Sequence, residues 1–191
     1  MTDTLVRTRV TRDDYRRLPE GPPYYELVDG ELILMTKPMR RHYRLQLRLG
    51  RHCDAYAEKH GGEWALEPNL YLPTTEDVYH PDLVFVRSEN LRVCQDDGIW
   101  GVPDVICEIL SPSTERIDRI RKMREFAAAG VSHVWLISPV QPVAVEEYAL
   151  SGGDYVRTCA LEAPAVWRPA AFPGFELALA EFDAVIAPAG E

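Results

Sequence analysis

Hydrophobic and polar positions change their spacing along the chain, which predicts helices and strands in a mixed order. Two apolar runs at 24–28 and 31–35 flank Asp29-Gly30, and a D-G pair between such runs is the strongest short signal for a β-hairpin. From 40 to 60, apolar side chains recur on one side at the helical spacing of about 100° per residue, with arginines on the other side. This stretch predicts a long amphipathic helix.

Near-continuous apolar runs after this helix predict strands that are covered on both faces. The predicted segments are, in chain order, strands at 63–72, 80–87 and 102–110, a helix at 115–129, a strand at 131–138 and a hairpin of 143–149 with 155–160. Ser113 or Thr114 is expected to cap this helix at its start and Gly130 at its end. The order predicts an α/β (α+β) fold with a helix-strand-strand-strand-helix-strand core and a hairpin on each side.

The composition fits one globular domain. The chain has 191 residues, of which 46% are hydrophobic and 27% charged, a balance that argues against disorder. We expect residues 1–10 to form a flexible arm and 11–191 a single domain, with Thr11 capping a short first helix. No apolar run approaches the roughly 18 residues that a membrane span needs, and the first residues lack the apolar core of a signal peptide. We therefore expect a cytoplasmic protein without a membrane partner.

The net charge of −9 argues against a general affinity for nucleic acid, but the basic residues are concentrated locally. Arg40, Arg44, Arg48 and Arg51 line one side of the long helix, with no acidic residue between 40 and 51. Such a row can contact the phosphates of a nucleic-acid backbone, which gives affinity without reading sequence. A solvated helix face is the alternative explanation.

Two carboxylates stand in or beside buried strands. Asp82 lies at the head of the strand at 80–87, and Glu108 lies inside the strand at 102–110. Ionised carboxylates are rarely buried unless they are paired or bind a metal. If the two converge, a divalent cation removes their repulsion and supplies a Lewis acid, and oxygen ligands favour Mg²⁺ or Mn²⁺ over zinc. Alternatively, each acid merely ends a strand or pairs with an arginine.

Lys122 is a third candidate, because it follows Glu108 by fourteen residues on the predicted second helix. At helical spacing Asp118 and Lys122 share one side of this helix, while Ile120 and Met123 share its apolar side. From the residues alone, an ion pair between Asp118 and Lys122 is the simpler explanation, and it is worth only about 0.2–0.5 kcal/mol.

Several short motifs follow one another in a specific order, although each is weak alone. They are Tyr25-Glu26-Leu27-Val28-Asp29-Gly30-Glu31-Leu32, His42, Pro81-Asp82-Leu83-Val84, Glu108-Ile109-Leu110-Ser111-Pro112-Ser113-Thr114, Asp118, Lys122, Ala129-Gly130-Val131-Ser132-His133-Val134-Trp135-Leu136 and Phe172-Pro173-Gly174-Phe175-Glu176-Leu177. The ordered set resembles the Uma-type family of restriction endonucleases, a bacterial group within the PD-(D/E)xK nuclease superfamily. The resemblance covers the chain from about Thr11 to Leu179.

This resemblance implies a restriction-endonuclease-like core and a metal-dependent phosphodiesterase site. Asp82 matches the aspartate of the superfamily motif and Glu108 its second acid, so both are expected to bind Mg²⁺ or Mn²⁺. The motif lysine should follow the second acid by two residues, where this chain has Leu110, and Lys122 on the next helix takes its place. The other residues expected to line the site are Glu26, His42 and Asp118.

The sequence therefore predicts a magnesium-dependent endodeoxyribonuclease that acts as a homodimer, because cutting both strands of a duplex usually needs two sites. The alternative is a catalytically silent module that binds nucleic acid or assembles with partners while retaining the nuclease fold, since a fold alone does not establish activity. RNA stays open as a substrate, because no module of stacking aromatic residues decides between the two nucleic acids.

Overall fold

The computed structural model describes residues 9–35, 37–111 and 117–187, and the side chains of 117–119 are not described. The helices are α1 (Arg12–Tyr15), α2 (Arg40–His60), α3 (Met123–Ala129) and α4 (Leu179–Ile186), with a 3-10 turn at Ser88–Val93 and a π-helical stretch at Ile117–Lys122. The strands are β1 (Tyr25–Val28), β2 (Glu31–Leu34), β3 (Glu63–Leu66), β4 (Leu70–Tyr71), β5 (Leu83–Val86), β6 (Cys94–Gln95), β7 (Gly98–Trp100), β8 (Val105–Ile109), β9 (His133–Ser138), β10 (Ala144–Ser151), β11 (Asp154–Glu162), β12 (Val166–Trp167) and β13 (Leu177–Ala178). Most of the expected arm lies outside the described residues, and so do Ser113 and Thr114, the two candidates for the N-terminal cap of the second core helix.

The first hairpin and the long helix form where the sequence predicts them. Asp29 and Gly30 have φ angles of 50° and 76°, and two successive positive φ values are what a two-residue hairpin turn requires. Thr11 caps α1 together with Asp14 in a capping box. The helix α2 ends at Gly61, whose amide donates to the carbonyl of Ala57.

A six-stranded mixed sheet in the order β11-β10-β9-β8-β5-β3 forms the centre of the fold. Strands β8 and β9 are parallel, and the other neighbours are antiparallel. One face packs on α2 and α4 through side chains such as Leu49 and Phe182, and the other face packs on α3 through Phe126. The predicted α+β class and core order are confirmed, whereas a single domain over 11–191 stays a prediction.

The single strand predicted over 63–72 is wrong. Glu67 has a φ of 47°, a left-handed conformation that ends β3, because an extended strand cannot continue through it. The chain then enters a separate three-stranded sheet in the order β4-β7-β6. The sequence did not predict β6 and β7, nor the C-terminal elements β12, β13 and α4.

The second helix also departs from its prediction. The chain runs through a π-helical stretch before α3 begins, and a π turn places one extra residue in each turn. As a result the predicted apolar side is wrong at Ile120, which is 63% exposed, while Lys122 is buried at 7% exposure. Gly130 ends α3 with a φ of 90°, as predicted.

Candidate active site

The antiparallel pairing of β5 and β8 sets the backbone positions of the two predicted acids opposite each other. Leu83 of β5 pairs with Cys107 of β8, and the register continued by one residue puts Asp82 across from Glu108. Asp82 precedes the first residue of β5, and its carboxylate contacts His42 of α2, whereas the carboxylate of Glu108 contacts Lys122. Glu108 is only 4% exposed, on the side of the sheet that α3 covers.

Lys122 lies beside Glu108 and extends the cluster to the first hairpin. Its Nζ is 3.0 Å from Oε1 of Glu108 and 3.1 Å from Oε1 of Glu26, on β1. The same oxygen of Glu26 accepts the backbone N–H of His80 at 3.3 Å. Burial of an ammonium is tolerable only where opposite charges compensate it, and two carboxylates do so here. The structure thus brings Glu26, Glu108 and Lys122 together.

Asp82 is held from two sides at the head of β5. Its Oδ2 accepts the N–H of Ile109 at 2.6 Å, which ties the residue before β5 to the end of β8. Its Oδ1 lies 3.2 Å from Nε2 of His42, near the start of α2. Burial lowers the pKa of His42, but the hydrogen bond and charge of Asp82 outweigh burial, so the pKa is raised overall.

Gln46 supports the same corner, although the sequence analysis did not single it out. Its Nε2 donates to the carbonyl oxygen of Asp82 at 3.1 Å and to Oε1 of Glu67 at 3.0 Å. His42 and Gln46 are four residues apart and share the inward side of α2. A polar pair on an otherwise apolar helix side is therefore a signal that sequence reasoning could have used.

A second charged network fixes the two elements that carry Glu26 and Lys122. Arg121 places its Nη2 2.8 Å from Oδ2 of Asp77 and 3.3 Å from Oδ2 of Asp29, in the turn of the hairpin. Asp77 is buried at 6% exposure and also accepts the backbone N–H of Asp29 at 2.8 Å. Sequence reasoning missed this network, since its three members are far apart in the chain.

The arginines of the predicted row on α2 differ in their ion-pair partners. Arg48 lies 4.0 Å from a carboxylate oxygen of Glu181, on α4. Arg40 and Arg51 are exposed and Arg44 is half-buried, and none of the three forms an ion pair with a described residue. Contact of the row with phosphates stays a prediction. The side chain of Asp118, predicted to line the site, lies outside the described residues.

The chemistry of these side chains fits a hard divalent cation. Asp82, Glu108 and Glu26 supply only oxygen donors, the kind that Mg²⁺ prefers. No group of three or more His, Cys, Asp or Glu side chains among residues 9–35, 37–111 and 117–187 is arranged to enclose a metal ion. Mg²⁺ does not need such a cage, because it is usually held by one or two carboxylates together with waters and substrate phosphates.

Comparisons with known proteins agree with this fold. A model of the Uma2 family, described as "Putative restriction endonuclease", matches residues 12–180. A crystal structure of a putative nuclease of the DUF820 group from Anabaena variabilis superposes with a TM-score of 0.75 at 19% identity, covering 93% of this chain and 99% of that one. No curated protein matches the chain. Among the described residues, no helix is long and apolar enough to cross a membrane.

Proposed function

The chain belongs to the Uma2 family of putative restriction endonucleases, and we propose that it is a metal-dependent endonuclease that hydrolyses phosphodiester bonds of DNA. The observation that carries this proposal is the buried contact of Lys122 with Glu108, at 3.0 Å. This contact brings a lysine to the predicted second acid, on the strand that pairs with β5. Two acids and a lysine are the residues that the resemblance to the PD-(D/E)xK superfamily implies for a phosphodiesterase site.

In this proposal Asp82 and Glu108 would hold Mg²⁺ or Mn²⁺. The bound cation would polarise the scissile phosphate and lower the pKa of a water molecule. Lys122 donates hydrogen bonds to the attacking water or to the phosphate oxygen where negative charge develops. His42 orients the carboxylate of Asp82 through Nε2, and the N–H of Ile109 fixes its other oxygen.

A plasmid assay tests the proposal. Purified protein with Mg²⁺ or Mn²⁺ should nick or cut supercoiled DNA, and EDTA should stop it. Glu108→Gln keeps the shape of the side chain and removes its charge, so cleavage should fall by more than 100-fold. The matched control is Glu89→Gln, an exposed glutamate in the 3-10 turn, which should cleave like the parent.

Two outcomes would contradict the proposal. Equal cleavage by Glu108→Gln and the parent would indicate a contaminating nuclease or a different site. Binding of DNA or RNA with no cleavage of either would favour the non-catalytic nucleic-acid-binding module. The expected homodimer and the cytoplasmic location stay predictions, and light scattering of the purified protein measures the first of them.

A further inference from the structure

Large exposed apolar side chains are concentrated in the part of the chain that forms the first hairpin and the start of α2. Of the thirteen that are exposed in the described part of the chain, six lie between residues 24 and 47. Single exposed apolar residues are ordinary, whereas a concentration of them marks a binding surface. Tyr24 is 56% exposed, Met39 65% and Tyr43 53%.

Five of these side chains lie on the hairpin and on α2, the elements that carry Glu26 and His42, and we call them the apolar border. On the hairpin, Ile33 pairs directly with Glu26 and Tyr24 lies two residues before it, so the three share one face. On α2, the members are Met39, Tyr43 and Leu47, which are four residues apart and form one stripe. This stripe lies next to the side from which His42 and Gln46 reach Asp82.

Beyond the helical stripe lies the arginine side of α2, where Arg40 is exposed and Arg44 is half-buried. Arg40 and Arg44 each neighbour a member of the stripe in the chain, and neither forms an ion pair with a described residue. From the site outward, the surface therefore presents carboxylates, then apolar and aromatic groups, then guanidinium groups. A phosphate backbone complements the outer zone, while the middle zone needs a ligand with exposed apolar faces.

Resting on the proposed function, we infer that the substrate is a nucleic acid whose bases are unpaired next to the scissile phosphate, and that Tyr43 stacks on one of them. In a duplex the base faces are enclosed, so an aromatic side chain beside the phosphates gains little. In a single strand every base offers a face, and one aromatic contact raises affinity by about 5- to 150-fold. Stacking also supplies affinity that does not depend on charge, which a chain with a net charge of −9 needs.

A second copy of the chain is a less suitable occupant of the apolar border. A two-fold interface sets the same patch of both copies face to face. It would bring Arg40 and Arg44 of one copy towards those of the other with no acid between residues 40 and 51 to compensate them. Like charges opposed across an interface disfavour that association.

Fluorescence anisotropy of labelled 20-nucleotide strands in EDTA tests the inference without any cleavage. A single strand of thymidines should bind at least tenfold more tightly than a duplex of the same length at the same salt, with a uridine strand as a second arm to separate DNA from RNA. Tyr43→Ala should weaken single-strand binding about tenfold, and Tyr43→Phe, which keeps the ring, should restore it. Arg44→Gln should weaken both ligands and reduce the salt dependence.

The matched control is Leu91→Ala, which removes an exposed apolar side chain in the 3-10 turn, and it should bind like the parent. Equal affinity for single strand and duplex, unchanged binding by Tyr43→Ala, or binding of neither ligand would overturn the inference. A dimer that Tyr43→Ala converts to a monomer would also overturn it, by making the border a contact between copies. Single-strand preference that depends on Tyr43, without cleavage in Mn²⁺, would support the stacking contact and contradict the nuclease proposal.

Discussion

Replacing Lys122 with methionine tests the charge balance on which the site is built. The side chain of Lys122 is 8% exposed, and its ammonium contacts the carboxylates of Glu26 and Glu108, whose side chains are 16% and 5% exposed. Lys122→Met keeps the length of the side chain but leaves two acids facing each other with little solvent. Removing one partner of a buried ion pair costs about 3–5 kcal/mol, because an uncompensated charge stays buried.

Thermal unfolding in EDTA measures this cost. For a chain of this size, 1 kcal/mol corresponds to about 2–4 °C in Tm, so Lys122→Met should lower Tm by about 6–20 °C. Lys37→Met, at an exposed loop lysine, should change the free energy of unfolding by less than about 0.5 kcal/mol. Mn²⁺ should restore part of the loss in Lys122→Met, since a cation held by Glu108 replaces the missing positive charge.

A double-mutant cycle decides whether the loss comes from the acid. If it does, Lys122→Met should cost much less in a Glu108→Gln background, with a coupling energy of about 0.5–3 kcal/mol. The reasoning would be refuted if Lys122→Met cost under about 1 kcal/mol, or if its cost were the same with and without the charge of Glu108.

Three further predictions concern the supports of the site. NMR titration of the metal-free protein should give His42 a pKa above 6.5, the ordinary value for histidine. The stability that the charged imidazole adds is then fully present below pH 6.5 and is lost as the pH rises through the raised pKa. Asp82→Asn should lower the pKa of His42, and an unchanged pKa would contradict the ion pair. Asp77→Ala should lower the free energy of unfolding by about 1–3 kcal/mol in urea, because it removes one of the two carboxylate partners of Arg121 and the acceptor of the Asp29 N–H, while the exposed Asp96→Ala should be nearly neutral. Gly30→Ala should lower the free energy of unfolding more than Gly153→Ala. Both glycines have a positive φ, but only a Cβ at position 30 would meet the side chain of Arg9, at 2.9 Å. Equal losses of stability in the two variants would exclude that clash.

Elements defined by local pattern could be predicted from the sequence. The apolar period of α2 and the glycine after it place both ends of this helix correctly. The Asp29-Gly30 pair defines the first hairpin for a similarly local reason. By contrast, the break at Glu67 requires a non-glycine residue in a left-handed conformation, for which the residue type gives no signal.

The positions of the site residues could be predicted only in part. Acids inside apolar strands are conspicuous, because burial of a charge needs a partner, and this singled out Glu108 and Asp82. The contacts of such acids with their partners have no comparable local signal. His42 and Gln46 are separated from Asp82 by 40 and 36 positions in the sequence, and Arg121 is separated from Asp77 by 44. Such contacts depend on how the hairpin, α2 and the sheet pack together, and no local period encodes that packing.

The position of Lys122 depends both on the local helix geometry and on contacts with distant parts of the chain. In a regular α-helix Ile120 would lie on the apolar side together with Met123, and Lys122 on the opposite side; with the π-helical stretch Ile120 is exposed and Lys122 is buried. A lysine suits this position better than an arginine, because a compact ammonium on a flexible stem fits between two carboxylate oxygens at 3.0 and 3.1 Å, whereas a planar guanidinium needs more room. The chain has three lysines among its 21 lysine and arginine residues, and Lys122 is the one held between the buried Glu108 and the partly buried Glu26. The lysine side chain and the π-helical stretch therefore act together. They bring one positive charge to Glu108 from a helix, and not from the strand position that Leu110 occupies.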